Sequence, residues 1–96
     1  MASPEVLAEI YHHLGAAEGR LCPGVERTRV AIRRARVRLE GLLGEPPVGE
    51  RTAEGEPLGH LEEADALAGR HLGGAGLEGQ IRRAVGDALS AAREEL

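Results

Sequence analysis

Apolar residues recur at alternating spacings of three and four along most of this chain. Between Ser3 and Leu21, the residues Leu7, Ile10, Leu14, Ala17 and Leu21 fall in one narrow stripe at 100° per residue. That is the pattern of a helix burying one side. Ser3 can cap it, Pro4 fits the first turn, and Glu5 faces the positive end of the helix dipole. The stretch LCPG, residues 21 to 24, breaks the period, and Pro23 is expected to open a second helix. Its stripe is Val25, Thr28, Ile32, Ala35, Leu39 and Leu42. So short a break makes the two helices antiparallel neighbours.

A third stripe, Leu58, Leu61, Ala64, Ala68 and Leu72, begins near Pro57 and ends at GGAG, residues 73 to 76. From Leu77 a broader face follows: Ile81, Ala84, Val85, Ala88, Leu89 and Ala92. Its alanines allow close approach of a neighbour. The predicted helices span 4–20, 24–43, 58–72 and 77–95. Residues 44–57 have no helical period and are rich in Gly, Pro and Glu, which reads as an exposed acidic linker. The expected fold is all-α, a single helical domain over residues 1–96. Two helical hairpins form an antiparallel four-helix bundle, completed or extended by dimerisation.

Composition changes this picture in one respect. The 96-residue chain has neither Phe nor Trp, and Tyr11 is its only aromatic residue apart from histidine. A chain of this size buries only about 60–65% of its unfolded surface. A core built from Ala, Leu, Val and Ile gains less per residue, at roughly 25 cal/mol per Å². Small scaffolds often offset such a deficit by associating, so a homo-oligomer is expected.

Charge adds a second feature. Residues 26–40, ERTRVAIRRARVRLE, carry six arginines and two glutamates. On a helical wheel Arg27, Arg34 and Arg38 flank one side of the apolar stripe, and Arg29, Arg33 and Arg36 flank the other. These are seam positions, where long side chains cover an apolar edge and keep their charge in water. Opposite the stripe lie Val30 and Val37, seven residues apart, a second and weaker apolar strip. These eight residues are the candidate interface. Residues 45–65 hold seven acidic side chains against Arg51 alone and are the expected counter-charge, within the chain or between copies. The competing reading is a DNA- or polyanion-associated regulator using the same arginines, since phosphate contacts need only Arg. Against it stand the net charge of −4 and the lack of aromatic residues for base stacking among the arginines.

Candidate chemistry is sparse. Glu9 and His12 have the Glu-x-x-His spacing of carboxylate-bridged di-iron bundles, but they lie opposite Leu7, Ile10 and Leu14. A metal site there is disfavoured, and a metal-binding helical protein ranks third. His60 and His71 share a face yet stand about 16 Å apart along a helix axis, too far for one ion. Cys22 is the single cysteine, and no second thiol is present to pair with it. The stretch LEGQIR, residues 77 to 82, resembles the start of the copper- and nickel-sensing repressors of the CsoR class. The likeness covers six residues and lacks the downstream Cys/His ligands, so no function is carried across. No apolar run reaches the ~20 residues of a membrane span. The first ten residues lack the pattern of a signal peptide. The expectation is a small, cytoplasmic, non-catalytic interaction or adaptor protein without a cofactor, which self-associates and binds a protein partner.

Overall fold

The computed structural model of the protein describes residues 2–47 and 55–96. Among them the chain forms four α-helices and no strand: α1 (Pro4–Gly19), α2 (Glu26–Leu43), α3 (Pro57–His71) and α4 (Gly76–Glu95). The expected acidic linker falls partly outside the described residues, at 48–54.

Local chemistry sets the helix ends. The Ser3 hydroxyl accepts the Val6 N–H at 3.3 Å, closing the first turn of α1, and Pro4 follows where no amide donor is needed. Pro23 does not open α2. Pro23 and Gly24 form a turn, with Gly24 at φ 96°, a conformation that glycine adopts without a Cβ clash. The helix begins at Glu26, and its N-cap residue, Val25, has no side chain able to cap it. At the other end Gly44 takes the left-handed conformation, and its N–H donates to the Glu40 carbonyl at 2.8 Å. Before α4 the Glu78 carboxylate reaches back to accept the Gly73 N–H at 2.8 Å.

The stripes meet in one core. Ile10, Leu14, Ile32, Leu39, Leu61, Ile81 and Val85 are its largest fully buried apolar side chains. Alanines fill the spaces between them: Ala17, Ala35, Ala64, Ala88 and Ala92. Several positions depart from the sequence pattern: Ala31 and Ala91 are buried as well, and Leu21, Leu42 and Leu58 are only half-buried. Tyr11 is buried beside Ile10, Leu77 lies at the surface, and Gly79 is buried in its place. A Cβ on Gly79 would lie 2.5 Å from the Gly74 carbonyl oxygen, so the loop before α4 packs on a site that only glycine leaves open.

Each helix packs on two others. α2 lies chiefly on α4 and α1 chiefly on α3, while α3 also meets α4 and α1 also meets α2. The most extensive packing therefore joins helices that are not consecutive in the chain. The radius of gyration is 12.0 Å, close to the roughly 12.5 Å of a compact globule of this length. Among the described residues no helix is long and apolar enough to cross a membrane.

Candidate interaction surface

α2 is the helix whose three faces do different things. Its buried face is Thr28, Ala31, Ile32, Ala35 and Leu39. Toward α1 it carries a polar network. Tyr11 donates to the Glu40 carboxylate at 2.7 Å, and Arg36 donates to the Tyr11 hydroxyl at 3.2 Å while its guanidinium lies 4.7 Å from the centre of the Tyr11 ring. Arg36 also pairs with Glu18, whose second oxygen accepts from Arg33 at 3.1 Å. Burial pushes the Tyr11 hydroxyl above its ordinary pKa, and donation to Glu40 pushes the same way. Burial works against the charge on Arg36, but Tyr11 and Glu18 outweigh it and the pKa rises.

Toward α4 the contacts are of another kind. Arg27 pairs with Glu94 at 2.8 Å. Glu95 accepts the backbone N–H and the hydroxyl of Thr28. The cap that Val25 cannot supply thus comes from the last turn of α4.

The arginines therefore divide. Arg27, Arg33 and Arg36 pair with Glu94 and Glu18, and Arg29 lies 3.9 Å from Glu26 and donates to the Cys22 carbonyl. These counter-charges come from α1, α4 and α2 itself; of the acidic stretch the sequence suggested, residues 48–54 lie outside the described residues. One residue of that stretch, Glu62, lies 3.7 Å from Arg93 of α4. Arg34 and Arg38 have no hydrogen-bond or ion-pair partner among the described residues.

The third face points outward. Val30 and Val37 are 53% and 60% exposed, more than any other large apolar residue among those described. Val30 stands at an open groove of about 550 Å³ between α2 and α4. Buried Ala31 and Ala91 line it, with Arg34 on the α2 wall and Asp87 on the α4 wall. No protein-family model, curated protein or solved structure matches this chain.

The histidines fall elsewhere. Glu9 and His12 are half-buried on α1, and the His12 ring meets the edge of Tyr11. Among the described residues no three His, Cys, Asp or Glu side chains converge to hold a metal ion. The pair the structure does form is His13 with His60, which joins α1 to α3. Their Nδ1 atoms are 3.1 Å apart and their ring centres 5.4 Å. The rings meet tip to tip, so one must donate and the other accept. The sequence reading missed this pair because 47 residues separate its members. His71 is exposed.

Proposed function

We propose that this protein is a small non-catalytic helical module that self-associates as a dimer, using the outward face of α2 and its border with α4 to do so. The observation that carries this reading is the exposed pair Val30 and Val37 on one strip of one helix. Seven residues span about 10.5 Å of helix, two turns, so the two side chains form one patch beside the α2–α4 groove. Isolated surface valines are ordinary. Two on one strip, beside a groove with buried alanines in its lining, offer a neighbour something to cover. A core without Phe or Trp gives the chain a further reason to bury apolar surface between copies.

The same reading takes neighbouring helices as antiparallel. Support comes from the order of their cross-links. Arg27 and Thr28 at the start of α2 meet Glu94 and Glu95 at the end of α4. Tyr11 reaches Glu40, whereas Glu18, later in α1, reaches the earlier Arg33. The arginine pairs favour a protein interface over a polyanion surface. Most of the guanidinium groups on α2 already face carboxylates of the same chain, which would repel phosphate.

The test is the double variant Val30→Ser/Val37→Ser, compared with the natural protein by size-exclusion chromatography with light scattering. The expected result is loss of the dimer with helicity unchanged by circular dichroism. A variant that keeps the dimer would rule this strip out as the contact.

A further inference from the structure

We infer that the α2–α4 groove is a self-complementary seat for a second copy of this chain, in which Arg34 of each copy pairs with Asp87 of the other. The inference rests on the dimer proposed above and deepens it by naming the contact.

Two charges at the groove carry no counter-charge among the described residues. Arg34 and Asp87 are both exposed, and they line opposite walls of one groove. Neither has a hydrogen-bond or ion-pair partner among the described residues. Their neighbours in the groove are already satisfied: Arg27 pairs with Glu94 at 2.8 Å, and Glu26 lies 3.9 Å from Arg29. A guanidinium and a carboxylate thus stand on opposite walls of one groove whose lining includes buried Ala31 and Ala91, and they form no ion pair with each other.

Symmetry supplies the partner. The α2 wall of the groove carries Arg27 and Arg34, with one acid, Glu26, at the start of the helix, and the α4 wall carries Asp87 and Glu94. A half-turn about an axis running along the groove, in the plane of the contact, lays the basic wall of one copy over the acidic wall of the next. Positions along the groove are unchanged by that rotation, so Arg34 comes over the partner's Asp87 and Asp87 under the partner's Arg34. A two-fold contact of this kind uses the same patch on both copies. Opposed charges at its edge fix the register and reject other alignments, which is their main contribution to recognition. A specific dimer buries about 800 Å² on each side, roughly a seventh of the 5446 Å² surface. The contact must then extend along α2 from Val30 to Val37.

Charge exchange tests this directly. Arg34→Asp and Asp87→Arg are made singly and together, and each protein is followed by sedimentation velocity over a concentration series. Both side chains are exposed and have no partner among the described residues, so the monomer fold is expected to persist, and circular dichroism checks it. Each single variant is expected to weaken dimerisation about tenfold or more, because it places like charges together twice, and tenfold corresponds to about 1.4 kcal/mol. The double variant restores the two pairs in reverse and is expected to recover the natural affinity to within about threefold. Single variants that dimerise normally, or a double variant no better than the weaker single one, would overturn the inference and leave the proposed dimer standing. A natural protein that is monomeric at every concentration would overturn both.

Discussion

The Glu95 carboxylate accepts the Thr28 N–H at 2.7 Å, together with the Thr28 hydroxyl, across 67 residues of chain. The last turn of α4 thereby caps the first turn of α2, whose own N-cap residue, Val25, has no side-chain acceptor. Exposed backbone N–H groups at a helix start favour a negative group. The contact ties the two helices that pack most extensively on each other.

This contact makes stability depend on pH in a defined direction. Donation from the Thr28 hydroxyl, then from the backbone, holds the Glu95 pKa below its ordinary value. In the unfolded chain a glutamate titrates at about 4.3. The stabilisation is therefore full above that value and is lost as pH falls through the lower folded-state pKa. Glu95→Gln is expected to lower the melting temperature at pH 7 and to match the natural protein increasingly closely below about pH 4. Thermal melts at a series of pH values check this, and an equal deficit at pH 7 and pH 3 would contradict it. Thr28 is fully buried, and Thr28→Val is expected to cost about 1–2 kcal/mol through the lost hydroxyl donor.

Tyr11 provides an optical probe of the α1–α2 network, since it is the chain's only tyrosine. Its hydroxyl pKa is raised first by burial and then by donation to Glu40. The unfolded chain ionises near about pH 10, so this stabilisation is whole below that value and fades as pH rises through the higher folded-state pKa. Absorbance titration of the folded protein is expected to show tyrosinate forming above pH 10, moving down toward the model-peptide value in Glu40→Gln. Tyr11→Phe leaves Glu40 and Arg36 without their shared partner and is expected to cost about 1–2 kcal/mol by denaturant melt.

Much of the all-helical architecture was legible because burial leaves a period of 3.6 in the sequence. Leu7, Ile10, Leu14 and Ala17 declared the buried side of α1, and Ile81, Val85 and Ala88 that of α4. Spacing identifies a face but not what lies against it. Tyr11 falls at the edge of its stripe and is buried because Glu40 and Arg36 satisfy its hydroxyl from another helix. Nothing in the sequence marks Glu18, Glu94 and Glu95, yet they take up Arg33, Arg36, Arg27 and Thr28. The acidic stretch around residue 50 was the more conspicuous counter-charge in sequence. Its central residues, 48–54, lie outside the described ones, and the carboxylates described beside the α2 arginines sit mainly on α1 and α4, the helices packed against α2. Val30 and Val37 were readable as an outward strip. Asp87 across the groove was not, since nothing in its own helix marks it.

Two glycines of similar sequence context are expected to behave oppositely. At Gly79 an added methyl group would lie 2.5 Å from the Gly74 carbonyl oxygen, a backbone atom that cannot simply rotate away. Gly79→Ala is expected to be a net loss, with about 1–3 kcal/mol of overpacking against a helix-propensity gain of about 1 kcal/mol. Gly69 in α3 has nothing within 4 Å of the same position, and Gly69→Ala is expected to gain about 0.5–1 kcal/mol. Chemical denaturation of both variants decides the point; a stabilised Gly79→Ala would mean the 73–75 loop does not pack on α4 as described.

Sedimentation velocity of the natural protein, over a hundredfold range of concentration and at low and moderate salt, decides whether the chain self-associates. A concentration-dependent shift from one chain to a mass of two is expected, weakened but not abolished by moderate salt, because Val30 and Val37 supply an apolar part of the contact and ion pairs the rest. A single species with the mass of one chain at every concentration and salt would contradict it.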